Sequence, residues 1–352
     1  MTITVIRGGL LTTVQDLGRP GLQHLAIVPG GAMDAGSHRI ANALVGNGDE
    51  AATLELALSG PTLRFECDTL VALHGARFDA RLDAGPMPLS RPVLVRAGMT
   101  LTIGRAVLGA FGYLAAAGGI TVPRVLGARA TYLAGGFGGL DGRALAAGAV
   151  VPLIETVEAV SHERFARLGR SGRTLSLGGA GSGAASGVSA PKAAGSVRWW
   201  VSADLGPVGD PVTVRIVDGV HAEAFDAASR DALIGQPWRV SGESNRMGYR
   251  LVGPVLTRTA PRELVSQPVG FGTVQVPPAG QPIVLMADRQ TTGGYPRIAE
   301  VIGADRDRLA QAVPGSASVK FERVDLEQAD AARGEATRRL AALIDRLHWE
   351  YA

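Results

Sequence analysis

Lysine, cysteine and aromatic residues are scarce in this chain. Of its 352 residues only Lys192 and Lys320 are lysine, although Lys and Arg together number 35. Neither lysine follows a glycine, which excludes a Gly-Lys-Ser/Thr phosphate loop. Neither stands in the Ala-Met-Lys-Met setting of a biotin carrier, so no covalent biotin is expected here. The single cysteine, Cys67, excludes a disulfide framework, a zinc knuckle or an iron–sulfur cluster within one chain. His24, His38, His74, His162, His221 and His348 include no i, i+4 pair, so no metal site is expected. No Gly-x-Ser-x-Gly elbow occurs. Long apolar runs are missing too. The longest, Ala106 to Ile120, contains four glycines and falls short of the roughly 20 residues of a membrane helix. The N-terminus lacks the pattern of a secretory signal, so a cytoplasmic protein is expected. Acidic residues number 32, leaving a net charge of +3, and the arginines are scattered, which argues against a nucleic-acid groove despite a pI of about 9.3.

What is abundant is punctuation: 48 glycines and 20 prolines cut the chain into short pieces. Runs rich in β-formers recur at Thr2–Ile6, Thr53–Leu58, Thr62–Phe65, Leu70–Leu73, Val93–Val95 and Thr100–Ile103, then at Ser196–Val201, Val212–Val217, Leu251–Val255 and Ile283–Met286. Regular strand–helix alternation is absent, which argues against a Rossmann or barrel-of-eight plan. Helices are expected after Asp34, over Phe225–Ile234, and over Glu327–Trp349. In the last, Leu340, Leu343, Ile344 and Leu347 make one apolar stripe. A Gly/Ala/Ser-rich stretch at 169–196 reads as a flexible linker. The parts on either side share a loose order of motifs, which suggests a duplicated β-lobe. The expected division is a first lobe at 1–155, a helical and Gly/Ala/Ser-rich linker at 156–196, a second lobe at 197–325 and a C-terminal helix at 326–352.

Polar residues concentrate in four segments. Thr13-Val-Gln-Asp-Leu-Gly-Arg-Pro-Gly21 packs Gln15, Asp16 and Arg19 into a Gly/Pro turn; an Asx-type surface turn is the plainer reading. Ser241 to Arg250 offers Asn245, Arg246 and Arg250 as a clamp for a carboxylate or phosphate, or as a solvated loop. Ser266, Gln267 and Gln275 interrupt apolar strand sequence, where an unpaired buried amide costs about 1–3 kcal/mol. Asp288-Arg-Gln290-Thr-Thr-Gly-Gly-Tyr-Pro296 places an acid, an amide and a diglycine at a strand end. Backbone amides of Gly293 and Gly294 could form an anion nest there, unless the segment is a simple hairpin packed by Tyr295.

Val14 to Gly21, Gly31-Ala-Met-Asp34 with Ala41 to Asn47, Leu54-Glu55 through Ser59-Gly-Pro-Thr-Leu63, Ser244 to Leu251 and Asp288 to Pro296 together resemble the KipA family, which also carries the names 5-oxoprolinase C subunit, allophanate hydrolase subunit 2 and biotin-dependent carboxyltransferase domain. The resemblance runs in order along nearly the whole chain. It implies a mainly β fold of two cyclophilin-like barrel lobes with a few helices. It implies a KipI-like B component and a LamB/YcsF-like A component as partners, and hydrolysis of the lactam of 5-oxo-L-proline to L-glutamate with ATP and Mg. A carboxyltransferase component of a urea-type carboxylase, or a non-catalytic KipI-binding regulator, are the alternatives. Within the matched motifs, Arg246, Arg250 and Arg19 are expected to clamp anionic oxygens. Gln267, Gln275 and Gln290 are expected to orient amides, with Asn245, Ser266, Gly293, Gly294 and Tyr295 lining the site. Glu55, Asp288 or Asp16 is expected to act as base.

Overall fold

A computed structural model describes residues 1–83, 85–169, 174–177, 194–201, 210–259 and 264–352. Most of the Gly/Ala/Ser stretch expected to be a linker lies outside the described residues. Two pieces of that region, Thr174–Leu177 and Ala194–Val197, are paired antiparallel strands rather than irregular chain. The fold is mainly β, as expected, with five α-helices among the described residues.

The chain forms two compact units that are not contiguous in sequence. Unit 1 comprises Met1–Asp16, Ser37–Ala203 and Leu343–Ala352; unit 2 comprises Leu17–Gly36 and Asp204–Ala342. The short segment Leu17–Gly36 therefore belongs with the C-terminal half of the chain and not with the first lobe in which a division by sequence order puts it.

Unit 1 is built on an eleven-stranded sheet. Its strands are β1 (Thr2–Arg7), β2 (Leu11–Gln15), β3 (Thr53–Ala57), β4 (Thr62–Phe65), β5 (Thr69–Leu82), β6 (Gly85–Pro86), β7 (Val93–Val95), β8 (Thr100–Ala116), β9 (Val150–Pro152), β10 (Thr174–Leu177) and β11 (Ala194–Val197). The two long strands, β5 and β8, pair along most of their length. They run well past the short segments expected from composition, because Gly75, Gly104, Gly109 and Gly112 lie inside the strands and not at turns. Alternation sorts the side chains. Leu54 and Leu56 of β3, Leu73 of β5 and Leu114 of β8 enter the apolar core with Val14, Phe65 and Ile103. The intervening residues face the other way, toward α1 (Ala35–Leu44), whose His38 bonds Thr53 and stands edge-on to Tyr113. Helix α2 (Val157–Gly169) is anchored to the start of β5 by Ser161 Oγ, which accepts from Leu70 N at 2.9 Å.

Unit 2 is a closed seven-stranded barrel. In chain order its strands are β12 (Val212–Asp218), β13 (Trp238–Val240), β14 (Gly248–Val252), β16 (Thr273–Gln275), β17 (Ile283–Leu285), β19 (Arg297–Val301) and β20 (Ser318–Arg323). The ring closes through a parallel pairing of β12 with β20, from Val212↔Val319 to Ile216↔Arg323. Inside, Val214, Trp238, Tyr249, Val274, Val284, Ile298 and Phe321 fill the lumen, as a small barrel requires. The polar tips are satisfied: Trp238 Nε1 donates to Leu233 O and Tyr249 Oη to Ala310 O. A two-stranded ribbon, β15 (Gln267–Pro268) with β18 (Thr292–Gly293), lies off the barrel path. Helices α3 (Ala227–Gly235) and α4 (Arg306–Ala310) belong to this unit, and α5 (Leu326–Trp349) passes from unit 2 into unit 1 at its last turns. The expected helices are present, with α3 shifted to begin at the Asp226 cap, whose carboxylate accepts from Ser229 N.

Two histidines of unit 1 are buried as neutral imidazoles. Burial pushes His38 and His74 down to about 4. Below the ordinary value near 6.5 the unfolded chain takes up protons that the folded chain refuses, so stability falls as pH drops toward about 4, by up to ~1.4 kcal/mol per pH unit for each histidine. Urea unfolding from about pH 7 down to about 4.5 should show this slope. His38→Gln and His74→Gln should each flatten it, whatever they do to stability at neutral pH. An unchanged slope in both variants would show that neither imidazole is held neutral.

Candidate functional sites

Unit 2 carries a buried ion pair at the end of β17. Apolar Val284, Leu285, Met286 and Ala287 bury this strand and the residues after it, and Asp288 follows, itself only 4% exposed. Arg246, in the turn before β14, grips it with two parallel bonds: Nε to Oδ2 at 2.8 Å and Nη2 to Oδ1 at 2.9 Å. The same Nη2 donates to Gly31 O at 2.6 Å, and Asp288 N donates to Arg246 O at 2.8 Å. With both carboxylate oxygens engaged by one guanidinium, Asp288 is arranged as the counter-charge of Arg246 and is poorly placed to accept a substrate proton.

The pair fixes the glycine turn of the Gly30–Asp34 segment. Gly30 and Gly31 take φ of 62° and 87°, conformations that favour glycine. A Cβ on Gly31 would stand 2.8 Å from Gly18 N and from Leu17 C. A Cβ on Gly30 would meet Arg19 Nη1 at 3.4 Å and Asp288 Oδ1 at 3.6 Å, so Arg19 and Asp288 converge on this bare backbone. Gln311 Nε2 donates to Asp34 Oδ2 at 2.7 Å, and the Asp307 carboxylate accepts from the amides of Ala35 and Gly36, both at 3.0 Å. Thus Arg19, Gly30, Gly31, Arg246 and Asp288 form one cluster.

The remaining expected residues of this unit form a second group around the ribbon. Gln275 is buried, and its Oε1 accepts from Gln290 Nε2 at 3.4 Å. A Cβ at Gly293 would run into the Gln275 amide, which explains the glycine; Gly293 pairs with Gln267 in the ribbon. Neither Gly293 nor Gly294 has positive φ, so the diglycine has no left-handed residue with which to build the expected nest. A Cβ at Gly294 would approach Ser266 Oγ at 3.5 Å. Gln267 is exposed and accepts from Arg297 Nη2 at 2.7 Å. Tyr295 is half-exposed. Asn245 Oδ1 accepts from Met247 N within its own turn, and Arg250 points to solvent from β14, apart from the buried Arg246. Of the three arginines expected to form a clamp, Arg19 and Arg246 are buried and Arg250 is exposed.

Glu55 belongs to unit 1, where register builds a polar row across four strands. Thr13 of β2 faces Glu55 of β3, Glu55 faces Tyr113 of β8, and Tyr113 faces His74 of β5. All four are buried. Tyr113 Oη donates to Glu55 Oε2 at 2.8 Å, His74 Nδ1 lies 3.0 Å from Ser90 Oγ, and Gln15 Nε2 donates to Thr13 Oγ1 at 3.0 Å. Asp16 follows β2 and accepts from Arg129 N at 2.5 Å. Within this row Glu55 and Tyr113 form a buried carboxylate–phenol hydrogen bond. His38, His74 and Tyr113 were not singled out from the sequence as site residues. The available signal was a polar residue at alternate positions beside core leucines, as in Leu54-Glu55-Leu56 and Leu73-His74.

With a closed barrel, a buried Arg–Asp pair and this polar row in place, the chain belongs to the family described as carboxyltransferase domain, subdomain A and B, which residues 25–323 match. Over 348 residues it is 42% identical to the 5-oxoprolinase C subunit of Escherichia coli (strain K12), covering 99% of both chains. The 5-oxoprolinase C subunit of Haemophilus influenzae is 36% identical over 317 residues, 90% of this chain and 89% of the relative. In structure the chain is similar to the crystal structure of the Kluyveromyces lactis urea amidolyase, with a TM-score of 0.81 at 25% identity over 97% of this chain, yet it spans only 20% of that larger protein.

The pair invites a direct measurement. Asp288→Ala or Arg246→Ala leaves a buried charge without its partner, so either should destabilise unit 2 by about 3–5 kcal/mol in urea unfolding. The double variant should cost far less than the sum, a coupling above ~1 kcal/mol. Additive losses would show that the two side chains do not act as a unit.

Proposed function

We propose that this chain is the C component of an ATP-dependent 5-oxoprolinase, acting with a KipI-like B component and a LamB/YcsF-like A component to open the lactam of 5-oxo-L-proline to L-glutamate. The observation that carries this reading is the 42% identity to a protein named as the C subunit of 5-oxoprolinase, across 99% of both chains. A lactam carbonyl is a poor electrophile; in this reading its oxygen takes the γ-phosphoryl group of ATP as ADP leaves. Water then adds to the carbon with loss of a proton, the ring C–N bond breaks to the free amine to leave an acyl phosphate, and a second water releases phosphate and the carboxylate. The residues needed are cations for the developing charge, amides for the lactam edge and a group that accepts a proton. Arg19, beside the bare backbone of Gly30, is the cation this reading assigns to an anionic oxygen, and Arg246 holds the turn through Asp288 and Gly31 O. Gln275 and Gln290 supply amide donors and acceptors at the ribbon. Of the carboxylates expected to act as base, Asp288 is locked by its arginine, and Glu55, in unit 1, accepts from Tyr113 Oη. No group of three or more His, Cys, Asp or Glu among the described residues is arranged to hold a metal ion. In this reading Mg arrives with the nucleotide.

A carboxyltransferase component of a urea-type carboxylase is the second reading, favoured by the structural likeness to urea amidolyase. Reconstitution separates them. The three purified components together should convert 5-oxo-L-proline and ATP to glutamate, the isolated chain should hydrolyse no ATP above background, and Arg19→Ala should lower kcat/KM of the assembly at least ~100-fold. ATP turnover by the chain alone, or activity only with urea and a carboxybiotin carrier, would overturn the oxoprolinase reading.

A further inference from the structure

Two arginines of unit 2 belong neither to the buried ion pairs of the barrel nor to the cluster at Gly30. Arg289 follows Asp288, and Arg306 opens α4 directly after Asp305. Both aspartates are deeply buried, and each is gripped by a different arginine: Asp288 by Arg246 and Asp305 by Arg215. Arg289 and Arg306 are therefore carried on backbone that buried ion pairs hold in place. Both are half-buried, and both reach the loop at residues 269–272 between β15 and β16. Arg289 Nε donates to Val269 O at 3.5 Å. The Arg306 guanidinium lies over the Phe271 ring, 5.7 Å from its centroid, and a Cβ on Gly272 would stand 3.5 Å from Arg306 Nε.

Neither guanidinium is satisfied by its surroundings. Arg289 reaches only carbonyls near the long limit of a hydrogen bond: Val269 O, Met286 O at 3.3 Å and Ala287 O at 3.5 Å. Arg306 Nε is buried without an acceptor, and its Nη groups bond nothing among the described residues. Glu300 and Asp307 lie within electrostatic reach of Arg306, but among the described residues neither acid forms an ion pair with it. Both acids are engaged elsewhere. Thr273 Oγ1 donates to Glu300 Oε2 at 2.7 Å, and Asp307 accepts from the amides of Ala35 and Gly36. Burial and then the charge of Arg306 push Arg289 down to about 10, and burial holds Arg306 below the usual guanidinium range. The fold thus keeps two partly desolvated like charges near each other, which is unfavourable unless something of opposite charge joins them. An oxyanion would take up the unused donors in charge-assisted bonds and cancel the repulsion.

We infer that Arg289 and Arg306 form a seat for a small oxyanion, a carboxylate or a phosphoryl group, beside the loop at 269–272. Two planar forks suit a group with several oxygens, which each fork can meet with more than one N–H. The source of the anion rests on the reading of the chain as an oxoprolinase component: it is the carboxylate of 5-oxo-L-proline or a phosphate of ATP.

The test titrates the full chain with inorganic phosphate and with 5-oxo-L-proline by isothermal titration calorimetry at low salt. At least one of these anions should bind, and Arg289→Gln and Arg306→Gln should each raise its Kd at least ~10-fold, the loss of about one charge-assisted bond. Arg239→Gln, exposed on β13, should leave it within about twofold. Arg289→Lys and Arg306→Lys keep the charge without the fork and should fall between wild type and the glutamine variants. Circular dichroism and melting temperature verify the fold of each variant. Binding of phosphate alone assigns the seat to a phosphoryl group. Binding of 5-oxo-L-proline that 2-pyrrolidone does not match assigns it to the carboxylate, since 2-pyrrolidone has the lactam without the acid. Binding of neither anion, or binding that survives in both glutamine variants, overturns the seat. A three-component assembly that fails to open 5-oxo-L-proline overturns the oxoprolinase reading alone, because the phosphate titration decides the seat without it.

Discussion

The arrangement of unit 2 depends on keeping two opposite charges out of water at the end of a buried strand. Asp288 and Arg246 are each at most 5% exposed. Taking such ions out of water is strongly unfavourable, and only close, well-oriented bonds offset it. The pair has these, and Arg246 directs a further bond to Gly31 O. That last bond turns an ion pair into a positioning device. It draws the Gly30–Gly31 turn against the barrel, and the turn can approach because neither residue carries a Cβ. Arg19 and the helix-start segment held by Gln311 and Asp307 are then placed as a consequence.

The strands and helices were largely legible because they obey simple periods. The α5 stripe and the alternation in β12 are examples, and both are present where expected. The β2 strand was not legible. Thr12, Thr13 and Gln15 are polar, and the Gly/Pro turn that follows drew attention to a loop reading; its residues are buried because β3 pairs along it. The lengths of β5 and β8 were hidden for the opposite reason. Glycines that usually end strands are here absorbed into a long antiparallel pair whose irregular register accommodates them.

The sites divide along the same line. Both members of the Arg246–Asp288 pair lie in recognised motifs, yet nothing local says that residues 42 apart bind each other. Their mutual engagement is what moves Asp288 from base to counter-charge. The row Thr13–Glu55–Tyr113–His74 was harder still. Each residue is a single polar interruption in an apolar strand, and only the register of four strands brings them into line. A one-residue slip in any pairing would send that residue into the leucine core, so the row depends on the register of the whole sheet.

The scarcity of lysine acquires a structural meaning in the barrel. Asp288 and Asp305 are its deeply buried paired carboxylates, and each is met by the flat fork of an arginine. Arg215 donates Nε and Nη2 to Asp305 at 2.9 and 2.6 Å, and its own backbone amide adds a third bond at 2.7 Å. A lysine ammonium at either place would carry the same charge but present a single point to two oxygens, leaving one of them buried and poorly served. In Arg246 the fork does more, since one nitrogen bridges a carboxylate and the Gly31 carbonyl at once. An Arg-to-Lys exchange at 246 would keep the charge balance of unit 2 and still release the glycine turn, because the turn is held by geometry and not by charge alone.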